Sequence, residues 1–276
     1  MDQNELLAEA LRQASPRIDE LKGKAIVVKV GGSTLGSHDT TLEDVAALSK
    51  LGVKVVVVHG GGASISHWLK VIGKEPRFVD GLRVTDAETM EIVTMVLAGK
   101  VNKEIVTSLA KLGGRAVGVC GVDGGLIRAR RLSDDLGLVG EVTDVDLHAV
   151  QALLAAGCVP IIAPIALGEQ EESLNINADT AAAEIAVSLG AEKIIFLTDV
   201  AGIRDQDGSV LPRLTKQQAQ ALIDSGVISG GMIPKAHACF RALDRINEAQ
   251  IVDGRVAHAL IRELLTDSGV GTRIRG

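Results

Sequence analysis

The chain has 276 residues, a formal net charge of −6 and 46% hydrophobic residues, yet no Tyr, one Trp and three Phe. Such a length can bury a large core as one domain or two, and the core has to be built from Val, Ile, Leu and Ala, which suits parallel strands buried on both faces. The acidic balance argues against a general nucleic-acid binder and against attraction to an anionic membrane surface, and so few rings cannot supply base-stacking platforms.

Cys120, Cys158 and Cys239 lack the spacing of a metal site or disulfide framework and read as reduced core thiols. No apolar run reaches spanning length, and Asp2-Gln3-Asn4-Glu5 is not the basic start of a signal peptide. The expectation is a cytoplasmic protein with neither nucleic-acid nor membrane partners.

Leu6, Leu7, Ala10 and Leu11 form the apolar stripe of a short amphipathic helix over 5–15, which Pro16 stops or redirects. The stripe packs either on its own domain or on another subunit. Strands are expected at 25–30, 53–58, 116–120, 158–163, 193–198 and 249–252. Helices are expected at 41–51, 63–72, 86–111, 145–156, 178–189, 215–224, 231–247 and 256–265. Asp39 or Thr40 is placed to cap the 41–51 helix, and Asp86 the long one. Leu126 to Leu132 and Leu138 to Val142 carry β-type patterns and read as a hairpin excursion. The alternation predicts an α/β fold: a doubly wound, mainly parallel central sheet with helices on both faces. The polar stretch Glu169 to Ser173 is a natural boundary.

Open parallel sheets bind ligands at the carboxyl ends of their strands, and several polar groups fall there. Lys29-Val30-Gly31-Gly32 follows the apolar run from Ala25. His59-Gly60-Gly61-Gly62 follows the next strand, and Thr198-Asp199-Val200-Ala201-Gly202 a later one. Glycine turns let backbone N–H groups approach an anion, and a lysine adds a point charge. No nucleophile elbow, zinc-protease signature or paired-cysteine site is present; lysines, glycine turns, one or two carboxylates and helix N-termini suit phosphoryl transfer. His59 reads as ordering its loop through hydrogen bonds. Arg128, Arg130 and Arg131 read as a solvated strand face.

Gly81-Leu82-Arg83-Val84-Thr85-Asp86, Asn175-Ile176-Asn177-Ala178-Asp179 and Gly230-Gly231-Met232-Ile233-Pro234-Lys235 complete an ordered set. In that order and spacing, from about Lys24 onward, the chain resembles the amino-acid kinase family, and within it the branch acting on N-acetyl-L-glutamate. The resemblance implies a three-layer sandwich and ATP-dependent phosphorylation of the acetylglutamate side-chain carboxylate, a step of arginine biosynthesis. It implies that Lys29 and Lys235 contact the transferring phosphoryl group from the two substrate sides and that Asp179 holds both ammonium groups. Gly61 and Gly62 cradle the acceptor carboxyl, Arg83 clamps the α-carboxylate, and Asn175 meets the acetamido group. Gly31, Gly32, Leu197, Thr198, Asp199, Val200, Ala201, Gly202, Gly226, Val227, Ile228 and Ser229 frame the nucleotide. ATP arrives with Mg²⁺, with no dedicated protein metal site and no tightly bound cofactor.

The implied organisation is an oligomerisation helix in 1–20, an acetylglutamate-binding lobe in 21–172 and an ATP-binding lobe in 173–276. The implied assembly is a homo-oligomer, a dimer or a hexamer joined through the N-terminal helix. His258, Glu263, Gly269 and Gly271 resemble the L-arginine effector pattern of sensitive family members, although Arg17 follows Pro16 where those members usually carry tyrosine. Two readings stay open beside this one. A relative acting on a carrier-linked aminoadipate would need a basic face, and a non-catalytic sensor on the same fold would not need Lys29, Asp179 and Lys235.

Overall fold

The computed structural model describes residues 2–31, 40–266 and 269–276. Its spine is an eight-stranded sheet in the order β12-β14-β13-β11-β1-β2-β8-β5. The strands are β1 (Ala25–Val30), β2 (Lys54–His59), β5 (Ala116–Cys120), β8 (Val159–Ala163), β11 (Lys193–Thr198), β12 (Arg213–Thr215), β13 (Glu248–Asp253) and β14 (Gly271–Arg275). All pair in parallel except β13 with β14. β1, β2, β8 and β11 are near-continuous apolar runs because helices cover both faces, and β1 lies between β11 and β2.

Successive side chains of β1 point to opposite faces. Val28 and Val30 join one core layer, with Leu48 of α2 (Thr41–Lys50) and Leu264 of α10 (Ala259–Leu265). Val27 joins the other, with Ala182 and Ile185 of α7 (Ala178–Leu189) and Cys239 of α9 (Met232–Ala242). Lys29 shares the Val27 face, so its ammonium is sent under the N-terminus of α7.

A second sheet, β10-β9-β6-β7, sits beyond the first. Its strands are β6 (Ile127–Arg131), β7 (Gly140–Val145), β9 (Ile165–Gly168) and β10 (Ser173–Asn175). The hairpin excursion is β6–β7, joined by two strands the patterning missed. A two-residue ribbon, β3 (Phe78–Val79) with β4 (Leu82–Arg83), turns at Asp80 and Gly81, both left-handed with φ of 49° and 79°. Two positive φ values in a two-residue loop are the turn that matches strand twist.

Several boundaries differ from expectation. α1 (Gln3–Leu21) runs straight through Pro16. Its second half is held by packing, with Ala14, Ile18 and Leu21 on the core beside α10, and tertiary burial outweighs the local proline penalty. Leu6 and Leu11 of the expected stripe are instead 53% and 60% exposed. Thr40 stands at the cap position of α2 but makes no side-chain cap bond; its Oγ1 accepts the His258 N–H at 2.6 Å. Asp39 lies outside the described residues. Asp86 does cap its helix, accepting from Thr89 N–H.

The long helix is real but passes through a π-helical segment, Met95–Val101, between α4 (Ala87–Thr94) and α5 (Asn102–Lys111). The helices expected over 145–156, 231–247 and 256–265 are shorter: α6 (His148–Ala155), α9 and α10. Cys120 and Cys239 are buried thiols, whereas Cys158 is partly exposed rather than core. No described helix is long and apolar enough to cross a membrane.

Candidate active site

Two cavities open at the carboxyl ends of the central strands and share Lys29 and Gly62. One, of about 230 Å³, is bordered by Gly61, Arg83, Leu97, Asn175 and Asp179. The other, of about 550 Å³, is bordered by Gly31, Leu197, Thr198, Asp199, Ser229 and Lys235.

Asp179 stands at their junction. It lies in the first turn of α7, where Asn177 caps the helix by accepting from the Asp179 and Thr180 N–H groups at 2.9 and 3.2 Å. Its Oδ1 is 2.8 Å from Lys29 Nζ and its Oδ2 2.9 Å from Lys235 Nζ. All three groups are largely enclosed. Burial opposes ionisation of Asp179, but the two ammonium groups outweigh it and hold the carboxyl below its ordinary value. Burial also pulls the Lys29 ammonium down, an effect that Asp179 resists and Lys235 reinforces. One carboxylate between two lysines leaves a net positive charge in a dry place, which suits a site awaiting a polyanion.

Arg83 carries a second unspent charge. It is only 7% exposed. Its Nη2 donates to Gly62 O at 2.8 Å and Ser66 Oγ at 2.9 Å, while its guanidinium carbon lies 4.7 Å from the centre of the Phe78 ring. Nη1 has no acceptor among the described residues, and burial lowers the pKa of the group. A buried guanidinium with an unused N–H edge beside a cavity is a ready carboxylate clamp.

Asn175 is brought alongside by the segment between the sheets. Thr85 N–H donates to Leu136 O, Leu138 N–H to Thr85 O, and Asn175 N–H to Leu138 O, at 2.9, 2.6 and 2.9 Å. Asn175 Nδ2 also donates to Thr85 Oγ1 at 3.1 Å. Gly137 must be glycine here: its φ is 70°, and a Cβ would strike Thr85 O.

Gly61 begins α3 (Gly62–Val71) under the π-helical segment, and a Cβ on it would run into Leu97 Cδ2. The first intrahelical bond of α3 is Ile65 N–H to Gly61 O, so the helix does not use the N–H groups ahead of it. Unused N–H groups at a helix start, beside a cavity that Gly60, Gly61 and Gly62 border, suit an anion. His59 is fully buried; its Nδ1 is 3.0 Å from Gly60 O and its Nε2 3.2 Å from Asn102 Nδ2. Burial lowers its imidazole pKa to about 4, so it is neutral at pH 7 and engaged with the loop.

Among the nucleotide candidates, Gly31, Leu197, Thr198, Asp199, Val200 and Ser229 border the larger cavity. Ala201, Gly202, Gly226, Val227 and Ile228 do not. Gly202 packs against Thr272 and Val210, and Ile228 is buried in the core. Gly32 lies outside the described residues. Of the effector candidates, Glu263 is buried with its Oε1 2.6 Å from Arg273 Nε, and its Oε2 accepts from Val270 N–H at 2.8 Å. His258 Nδ1 is 2.7 Å from Asp44 Oδ1. Gly269 sits where a Cβ would meet the Glu263 carboxylate, and Gly271 where it would meet Ile251 O.

Sequence reading assigned no role to Asn177, Ser66, Phe78 or Leu97. Asn177 carried a signal, an Asx residue two positions before an acidic helix start. The other three reach the site only by tertiary approach.

The amino acid kinase family profile matches residues 24–253. The acetylglutamate kinase of Trichodesmium erythraeum is 47% identical over 274 residues, 96% of this chain and 94% of that relative. The acetylglutamate kinase of Thermosynechococcus vestitus is 48% identical over 274 residues, 96% and 93% of the two chains. Among solved structures, N-acetylglutamate synthase from Neisseria gonorrhoeae complexed with coenzyme A and N-acetyl-glutamate superposes with a TM-score of 0.88 at 28% identity. That match covers 98% of this chain but 63% of that one. Carbamate kinase from Giardia lamblia bound to AMP-PNP shares the fold, with a TM-score of 0.64 at 16% identity over 92% and 98% of the two chains.

Proposed function

The chain belongs to the amino acid kinase family, and from that premise we propose that it transfers the γ-phosphoryl group of ATP to the side-chain carboxylate of N-acetyl-L-glutamate. The product is N-acetyl-L-glutamyl 5-phosphate, an intermediate of arginine biosynthesis. The relatives supply the acceptor's identity. The observation that carries the reaction is the meeting of two cavities at the Lys29–Asp179–Lys235 triad.

The acceptor lies in the smaller cavity, with its α-carboxylate on Arg83 and its amide toward Asn175. Its side-chain carboxylate, with an ordinary pKa of about 4.3, is already ionised at pH 7, so no general base is needed. A carboxylate oxygen attacks the γ-phosphorus, the bond to the β-phosphate oxygen breaks, and ADP leaves without proton transfer. Lys29 and Lys235 stabilise the negative charge on the transferring group, and Asp179 fixes both before the reaction begins. ATP enters the larger cavity as its magnesium complex, the ion held by phosphate oxygens and water.

Residues 21–172 then supply most of the acceptor side and 173–276 most of the nucleotide side, with Asn175 and Lys29 crossing over. The exposed Leu6 and Leu11 of α1 support a homo-oligomer joined through that helix. Free L-arginine, acting at His258, Glu263, Gly269 and Gly271, would have to displace the Arg273 guanidinium already seated there.

Trapping the acyl phosphate with hydroxylamine tests the assignment. Hydroxamate should form only with ATP plus acetylglutamate; faster turnover of glutamate, aspartate or aminoadipate would overturn it.

A further inference from the structure

We propose that Asn102 is a positioning residue for the acceptor: it borders neither cavity and acts through His59 on the glycine turn at Gly60–Gly62. This rests on the acceptor reading of the smaller cavity.

Asn102 is 1% exposed and begins α5 where the helix leaves its π-helical segment. Its Nδ2 donates to Ile161 O at 2.8 Å, and Val119 O lies 3.3 Å away. His59 Nε2 is 3.2 Å from the same nitrogen. One carboxamide nitrogen thus faces three strands, β8, β5 and β2. Lys103 Nζ lies 3.0 Å from Asn102 Oδ1, and an ammonium can only donate. The amide is therefore fixed with its N–H₂ side toward the three acceptors. Gly118 makes room for it, because a Cβ there would overlap Asn102 Oδ1.

An N–H directed at Nε2 makes that nitrogen an acceptor and leaves the imidazole proton on Nδ1. That proton is donated to Gly60 O, 3.0 Å away. In a trans peptide the C=O and the following N–H point in opposite directions. Drawing the Gly60 carbonyl toward His59 therefore turns the Gly61 N–H away from it. Gly60 N–H is itself tied to Val30 O at 2.9 Å, so the turn is held from both sides. Without Asn102 the imidazole is free to take its other tautomer, which cannot hold Gly60.

Nitrogen NMR of the ¹⁵N-labelled wild-type protein at pH 7 reads the relay directly. The expected His59 signals are a protonated Nδ1 and a bare Nε2; a protonated Nε2 would overturn the proposal whatever any variant does. Kinetically, Asn102→Ala should raise KM for acetylglutamate about tenfold and change KM for ATP by less than about twofold. In a His59→Ala background the same change should add less than about twofold, because the two residues act as one unit. Equal rises in both KM values, or full multiplication of effects in the double variant, would also overturn it. Asn102→Ser serves in the same assays if the alanine variant does not fold. A wild-type protein inactive on acetylglutamate would sink the acceptor assignment, while the tautomer would still decide the His59 link.

Discussion

Arg273 and Glu263 form an enclosed ion pair, with the carboxylate also capped by the Val270 N–H. If L-arginine acts at Glu263 as proposed, the Arg273 side chain already occupies the position that its guanidinium would need. Removing one partner of such a pair strands the other charge, at a cost of about 3–5 kcal/mol. Arg273→Met should therefore lower the melting temperature. Added L-arginine should restore more of it in the variant than it adds to the wild type, and should inhibit the variant at lower concentration. Thermal-shift and activity titrations check this; equal responses in both proteins would remove the effector role from Glu263.

Lys29→Ala and Lys235→Ala should each lower kcat by about 10²–10³-fold with smaller changes in KM, as for loss of a preorganised charge that acts on the transition state. Asp179→Asn should lower kcat too, because it leaves two buried ammonium groups facing one neutral amide. The double variant Lys29→Ala/Asp179→Asn should be far less impaired than the product of the singles. Steady-state kinetics decide, and a Lys29→Ala enzyme with normal kcat would contradict the arrangement.

Arg83→Met should raise KM for acetylglutamate by about 10–100-fold while leaving the unliganded protein as stable as before or more so, because a buried cation without an anion is itself costly. Melting curves with and without acetylglutamate test both halves. The wild type should gain stability from the ligand and the variant should not.

Gly61→Ala places a methyl against Leu97, which with Gly61 borders the smaller cavity. It should cut kcat/KM for acetylglutamate by about tenfold or more. Gly61→Ala/Leu97→Ala should recover part of that loss, a non-additivity expected of residues in contact. A double variant no better than Gly61→Ala would overturn the contact with Leu97 as the reason for glycine there.

Stability should fall on mild acidification through His59. Its imidazole titrates near 6.5 when unfolded and at about 4 when folded, so between these values the unfolded chain binds a proton that the native protein refuses. Stability is therefore complete above pH 6.5 and declines as pH drops toward 4, by up to about 3 kcal/mol from this residue. Urea melts of the wild type and His59→Gln across this window should show a shallower pH slope for the variant.

Apolar runs made six of the eight strands of the main sheet readable, most clearly β1, β2, β8 and β11, because parallel strands buried on both faces leave no polar alternation. β14 was missed because Thr272, Arg273 and Arg275 interrupt its apolar pattern, and β3, β4 and β12 because they are only two or three residues long. Lys29 and Asp179 were legible because each follows directly from a strand end or a helix start. The π-helical segment was not, since its spacing of Met95, Val96 and Leu97 fits an ordinary helix. The Arg83–Phe78 stack, the Ser66 contact and the Arg273–Glu263 pair depend on separate segments meeting, and no local pattern records that.

The placement of β14 also fixes an order of events as the chain is made. Among the described residues β12 pairs in the sheet only with β14, so the strand around Leu214 has no strand partner until the one around Ile274 has been synthesised, sixty residues later. At about 5–20 residues per second that wait is roughly 3–12 s. In the last part of it, from the completion of β13 at Asp253 to the arrival of Ile274 roughly 1–4 s later, the flank of β13 offers unpaired N–H and C=O groups to any other extended chain. The β13 flank of the sheet is therefore where a crowded ribosome has its best opportunity to misassemble this protein.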